Sequence, residues 1–558
     1  MVRKIFNFLY QESSSLNQAA LLLGFLAFVA MLIGFLRDRL LAHIFGASSD
    51  LDIYYAAFRI PDMLFVTVAS IVSLSVLVPF IIEKEREGRE ALRNFIDSIF
   101  SFFMLLMVVA VSLTYFFLPQ VAQILFRGFT PYELERVVFI SRLLLLSPVI
   151  LGLSNLFGSL TQAYNRFLIY SLAPILYNAG IVIGILAFSE RWGVEGVALG
   201  VIIGALLHIL IQAPFVWSTG LWPRSKLSFN YALIEKVVKI SLPRTLTLSI
   251  STLTLLFLTA LAARMSDGAV SILSLSNNIQ SISLSLIGVS YSLAAFPTLS
   301  RKFQDKEFGA FLSQMATSTR FIIFWSLPFT ALLIVLRAQI VRVLLGSGLF
   351  DWPATRLTAA AVALFILSSL FQSLSLLFMR GFYSAGHTKK PFYINLFSTG
   401  VLMAVTYALL EKFYASDAFR HFIASLLKVE DVAGSALLML PLGFSIGTML
   451  NGVLLWIFFE KEFRGFSKGL FGTLFQGLGA SFVMGGVSYI GLNVFSRYID
   501  ITTLPGIFIQ GFLSGLLGIV AGVLVLIALR SRELSDVWQS LHAKFWKSRV
   551  IATDPEIV

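Results

Sequence analysis

Long apolar runs, separated by short charged or glycine- and proline-bearing stretches, fill almost the whole chain. The first covers 17–45. It is followed by runs at 51–82, 96–126, 137–163, 168–189, 195–219, 240–263, 269–299, 316–345, 355–383, 392–411, 433–459, 471–494 and 506–529. A membrane-crossing helix needs about 20 mostly apolar residues, so the pattern predicts about fourteen transmembrane helices. Continuous runs, in place of ten-residue alternation, argue against a transmembrane barrel. The separators are short, for example "EKEREGREALRN" at 83–94 and "YNRF" at 164–167.

Composition supports the same class. Of 558 residues, 57% are apolar and only 13% charged, against roughly 25% charged in soluble domains. A bilayer is the solvent that suits such a chain, and the expected fold is an all-α polytopic membrane protein. Cysteine is absent, which excludes disulfides, thiolate nucleophiles and cysteine-ligated metals. The five histidines (43, 208, 387, 421 and 542) show no metal-ligand spacing. No phosphate-binding loop or nucleophile elbow is present, so neither an ATP-driven pump nor an intramembrane hydrolase is supported. The expectation is a transporter without an enzymatic centre, a bound metal or a cofactor.

The net charge of +12 does not point to nucleic acid, because no basic stretch is long or continuous. Loop orientation explains most of the excess. With the N-terminus inside, about 25 of the 42 Lys and Arg fall in cytoplasmic loops and about 11 on the other side, which places both ends in the cytoplasm. "MVRKIFNFLYQESSSLNQ" lacks a small-residue cleavage site and reads as an interfacial lead-in, not a signal peptide.

An internal repeat is visible. Pro79 and Pro297 each close an apolar run before a charged loop, and Pro174 with Asn178 corresponds to Pro391 with Asn395. The offsets are 218 and 217 residues. An even number of spans per repeat gives two lobes of like topology, related by a pseudo-two-fold axis along the membrane normal, with a substrate site between them. The expected organisation is a lead-in over 1–16, six-helix lobes at 17–233 and 234–465, two added helices at 466–530, and a cytoplasmic tail at 531–558.

Charges inside spans carry the functional signal, since each costs about 2.5–3.5 kcal/mol at the bilayer centre on insertion scales. "GFLRDRLLAHIFG" (34–46) puts Arg37, Asp38 and Arg39 near the end of the first span. Asp52, Arg59 and Asp62 lie in the first half of the second. The two spans form an antiparallel hairpin, so the six residues are expected to meet at similar depth. Arg37 and Asp38, adjacent and about 100° apart around the helix, are not expected simply to pair with each other. One reading has these residues reaching the headgroup region and pairing across the hairpin. The other is a cationic pocket for an anionic headgroup, in which arginine grips phosphate bidentately and the carboxylates keep the empty site near neutral. "LPRTLTLSISTLT" (242–254) and "SLSNNIQSIS" (274–283) add polar residues to two further spans. The first pattern fits hydroxyls bonding back to their own helix; the second fits a cavity wall. Gly196, Gly200 and Gly204, and the glycines at 511, 515, 518 and 522, fit close helix packing.

"IGFLRDRLLAHIFGASSDLDIYYAAFRIPDMLFVTVASIVSLSVLVPFI" (33–81) resembles the N-terminal signature of the MurJ/MviN family. The resemblance continues through "QAYNRFLIYSLAPILYN", "FPTLSRKF" and "GFYSAGHTKKP". It implies two six-helix lobes plus two helices, within the superfamily of multidrug, oligosaccharidyl-lipid and polysaccharide exporters. It also implies a flippase for lipid II, the undecaprenyl-linked peptidoglycan precursor, working by alternating access in the bacterial cytoplasmic membrane. Carried over by position, Arg37 and Asp38 match the family's Arg-Asp, Asp52 the acid after the Phe-Gly turn, and Arg59 the basic residue before Ile-Pro. The expected substrate-binding set is Arg37, Asp38, Arg39, Asp52, Arg59 and Asn278. Three arginine positions of the family differ: Met31, Phe65 and Asn278 stand there, with Ala30, Val66, Ser70 and Ser281 as further departures.

These losses leave room for two other transporter readings, an exporter of another polyprenyl-linked oligosaccharide or of amphipathic drugs. A non-transporting envelope-assembly scaffold is a third, disfavoured by the retained charge. The expected partners are a lipid-linked glycan, membrane lipids and cell-wall synthesis proteins, with the chain itself a monomer. No acidic residue falls between 240 and 263, so the seventh span offers no evident sodium or proton site. Coupling to a monovalent cation or to membrane potential stays open, one charge crossing 100 mV being worth about 2.3 kcal/mol.

Overall fold

The computed structural model describes residues 16–68, 74–225 and 231–545. The expected lead-in before residue 16, the position of Ser70 and the tail beyond 545 lie outside the described residues. No strand occurs among the described residues. The opening helices are α1 (Leu16–Phe45), α2 (Ser49–Thr67), α3 (Leu74–Glu87), α4 (Arg89–Leu125), α5 (Pro131–Leu144) and α6 (Leu146–Ala163). They continue as α7 (Phe167–Leu210), α8 (Ala213–Ser218), α9 (Tyr231–Ala262), α10 (Ala269–Ser283), a π-helical turn (Leu284–Val289) and α11 (Ser290–Gln304). After these come α12 (Phe308–Leu344), α13 (Trp352–Ile366), α14 (Ser369–Ser384), α15 (Lys389–Ala415), α16 (Asp417–Leu427) and α17 (Met439–Glu462). The last three are α18 (Leu470–Phe495), α19 (Leu504–Ala528) and α20 (Arg532–Phe545).

Among the described residues, ten helical stretches are long and apolar enough to cross a membrane, or eleven if α13 and α14, bent by 42°, count as one span. Phe167–Ser218 enters that number once, although Gly193 divides it into two arms, in line with the separate runs 168–189 and 195–219, and the run read as 17–45 forms a 30-residue helix, Leu16–Phe45. Within the run read as 51–82, the described residues form α2 and α3.

Two compact units are formed, one from the segments ending at Asn278 together with Leu344–Ala361 and Thr388–Gly447, the other from the remainder. In the first, α1 packs chiefly on α7, while α2 packs on α5 and α9. Gly193 breaks α7 with φ 55° and ψ −138°, a conformation that glycine adopts at no steric cost. The two arms fold back with Gly180 against Gly204 and Gly184 against Gly200, so backbone meets backbone, as the small-residue pattern predicts. The apolar core below joins α3, α4 and α6 through Phe80, Phe95, Phe103 and Phe157.

The second unit holds a buried aromatic cluster of Phe311, Phe378, Phe382 and Phe459. The α18–α19 pair packs through small residues, Gly518 against Ser488 and Gly491 against Ser514. Glu533 of α20 is buried and accepts from Thr473 Oγ1 at 2.8 Å and Ser531 Oγ at 3.0 Å. That contact ties a segment read from sequence as part of a cytoplasmic tail into the helical body.

Candidate functional site

Arg37 sits in the last third of α1, whose contact with α7 aims the guanidinium at Asn178. Its Nη1 donates to Asn178 Oδ1 at 3.0 Å. Nε and Nη2 both donate to Asp38 Oδ1, at 2.9 and 2.7 Å. The adjacent pair therefore does join, against expectation. The arginine stem is long enough to fold back across the 100° between neighbouring positions, so backbone direction alone does not decide pairing. Asp38 Oδ2 accepts from Asn278 Nδ2 at 3.0 Å. Four residues from three distant stretches thus share one polar cluster. Asp38 is almost wholly enclosed, while the Arg37 side chain keeps 24% of its surface open.

Arg59, on α2, donates from Nε to Thr259 Oγ1 at 2.9 Å and from Nη2 to Ser274 Oγ at 3.1 Å. Both hydrogen-bond partners are neutral, and the carboxylate within electrostatic reach of Arg59 is Asp62, one turn further along α2. Tyr55 lies within electrostatic reach of Arg37, Asp38 and Arg59. Its hydroxyl is buried and has no hydrogen-bond partner among the described residues. Together these groups present a donor-rich surface, which an anionic oxygen ligand can satisfy.

The other expected members stand elsewhere. Asp52 is buried, with Oδ2 accepting from Gly268 N at 2.8 Å and Oδ1 from Ser271 N at 2.7 Å and from the Ser271 hydroxyl. It caps the N-terminus of α10, where orphan amides and the helix dipole stabilise a carboxylate. Arg39 donates to the Leu344 carbonyl at 3.5 Å, at the end of α12. Asp62 lies within electrostatic reach of Arg59, one turn earlier, and lines a cavity with Tyr177. Of the six charges of the first hairpin, Arg37, Asp38, Arg59 and Asp62 gather around Tyr54 and Tyr55, while Arg39 and Asp52 stand apart.

Asn178 is the site residue that chemistry-based reading missed, although the Pro174–Asn178 repeat marked its position. Ser274 lies in the polar run expected to face a cavity. Thr259 follows the hydroxyl-rich stretch of α9, in which Ser249, Thr252 and Thr254 bond back to carbonyls four residues earlier at 2.8, 3.3 and 3.0 Å. No group of three or more acidic or histidine side chains suited to a metal ion occurs among the described residues.

A family model described as lipid II flippase MurJ matches residues 41–509. A probable lipid II flippase MurJ of Thermotoga maritima is 25% identical over 493 residues, covering 87% of this chain and 97% of the relative. The lipid II flippase MurJ of Burkholderia cenocepacia is 24% identical over 489 residues, covering 85% and 90%. Among solved structures, a lipid II flippase MurJ in an inward closed conformation matches with a TM-score of 0.70 at 20% identity, over 93% of this chain and all of that one. An inward-facing multidrug resistance MATE family transporter matches with a TM-score of 0.63 at 14% identity, over 79% and 96%. Both structural matches show the shared fold. The family match runs from the end of α1 into α19, and on that extent the chain belongs to the lipid II flippase MurJ family.

Proposed function

We propose that this multi-pass membrane protein carries lipid II from the inner to the outer leaflet of the bacterial cytoplasmic membrane by alternating access, as a transporter and not an enzyme. The observation that carries the reading is the Arg37 cluster: a membrane-helix arginine, partly open, whose fork is held by Asp38 and Asn178. An incoming pyrophosphate would take over donors now directed at Asp38, and Asp38 would reclaim them on release. Arg59 would supply the second positive charge. Arg39 and Asp52 serve the scaffold in this proposal, and Asn278 keeps Asp38 oriented without adding charge.

Both termini lie in the cytoplasm in this reading, and the working unit is a monomer acting beside the cell-wall synthesis proteins. Movement of this charged site couples it to membrane potential, with no bound cofactor. Collapsing the potential with an ionophore in vesicles should slow translocation; an unchanged rate would refute that coupling.

Complementation provides the direct test. Depleting the resident lipid II flippase of a walled bacterium and expressing this chain should restore lipid II on the outer leaflet, and Arg37→Ala should abolish the rescue. Folded, inserted protein that fails to rescue in a compatible host would instead support a different polyprenyl-linked glycan. The substitutions at Met31, Phe65 and Asn278 are the observation that favours this second reading.

A further inference from the structure

The last long apolar helix is followed closely by one of opposite character. α19 ends at Ala528, and Arg530 takes a left-handed conformation with φ 52°. Arg530 N donates back to the Ile527 carbonyl and Ser531 N to that of Leu526, both at 3.0 Å. These bonds close α19 and let the chain turn. α20 then starts at Arg532 and is fastened by its first two turns. The buried Glu533, held by Thr473 of α18, lies 3.9 Å from Arg320 Nε of α12. Leu534 and Val537 pack against Phe324, Ala480 and Leu526, one residue from each of α12, α18 and α19.

The apolar face continues past that contact. Trp538 stands four residues after Leu534 and next to Val537, on the same side of the helix, yet it is 69% exposed. Arg530 and Arg532 are exposed beside it in sequence, and Gln539 is exposed on the polar side. Between Arg530 and Arg549 the sequence carries five Lys and Arg against two Asp and Glu, and one of the two acids, Glu533, is buried. An amphipathic helix with an open tryptophan and surplus cations has the make-up of one lying in a bilayer interface. Lys and Arg close to an anionic leaflet each add attraction. A soluble acidic protein would meet the charge as well, but α19 already delivers the start of α20 to the membrane surface.

We propose that α20 is a membrane-surface helix that binds the anionic phospholipid leaflet in which α19 ends, inserting Trp538 and presenting Arg530 and Arg532 to lipid phosphates. The surface lies outside the Arg37 cluster and does not rest on the lipid II reading.

The absence of cysteine allows a direct test with nitroxide labels on the full chain, at Trp538→Cys or at Gln539→Cys. The protein is placed in vesicles of phosphatidylethanolamine and phosphatidylglycerol, and label collisions with oxygen and with a water-soluble nickel chelate are compared. Position 538 should favour oxygen and position 539 the chelate. Pure phosphatidylcholine, or Arg530→Gln combined with Arg532→Gln, should raise chelate access at 538 about twofold or more. Equal chelate access at 538 and 539 in the anionic vesicles would overturn the proposal and leave the cations to a soluble acidic partner. Insertion indifferent to both lipid charge and the two arginines would overturn the assignment to an anionic leaflet. A second measurement keeps the native residue and decides the matter should the label disturb the helix. Brominated phosphatidylglycerol should quench the part of the tryptophan emission that Trp538→Phe removes; if that part is not quenched, the proposal fails.

Discussion

Arg37 holds its pose through three hydrogen bonds to two partners, and each partner predicts a different cost. Arg37→Lys keeps the charge but loses the planar fork that engages Asp38 and Asn178 together. One charge-assisted hydrogen bond contributes about 1.5–3 kcal/mol, so the initial translocation rate should fall roughly tenfold or more, short of the full loss in Arg37→Ala. Asp52 should behave differently. Asp52→Ala removes the cap of α10 and should lower unfolding stability by about 1–2 kcal/mol, measured by thermal unfolding in detergent. The protein that remains folded should bind substrate with native affinity. A selective loss of affinity at full stability would show that Asp52 contacts the ligand after all.

At the scale of helices, glycine placement decides whether the polar cluster can form. Asn178 reaches Arg37 from the first arm of α7, and that arm is held by its glycine seam with the second. A Cβ on Gly200 would sit 2.6 Å from the Gly184 Cα, closer than any real contact allows. Gly200→Leu should therefore remove folded, membrane-inserted protein, read as the monodisperse fraction after solubilisation. Gly400 on α15 is the matched control, because a Cβ there meets nothing within 4 Å. Gly400→Ala should be neutral or stabilising by up to about 1 kcal/mol, the helix-propensity difference between the two residues.

For the whole molecule, the orientation inferred from Lys and Arg is open to a simple test, because the chain has no cysteine of its own. Single cysteines at Arg86→Cys, near the end of α3, and Arg127→Cys, after α4, replace exposed residues. A membrane-impermeant maleimide should label position 127 in intact cells and position 86 only after permeabilisation. The reverse pattern would invert the topology and, with it, the direction assigned to transport.

The membrane class and the place of most helices were legible in the residues alone. Segments 392–411, 471–494 and 506–529 became Lys389–Ala415, Leu470–Phe495 and Leu504–Ala528. In lipid every backbone polar group must be satisfied within its own helix, so a local apolar run is enough to locate one. Arg37, Asp38, Arg59 and Asn278 were likewise marked by polarity in apolar surroundings. Their partners were not. Asn178 lies 141 residues from Arg37, and Asn278 lies 240 from Asp38; adjacency depends on how helices lean and rotate, which no local pattern encodes. The same holds for Asp52 as a cap and Arg39 at the end of α12. Sequence determined which residues are costly to place in a membrane. Tertiary structure decided which neighbour offsets each cost, because that depends on contacts between helices far apart in the chain.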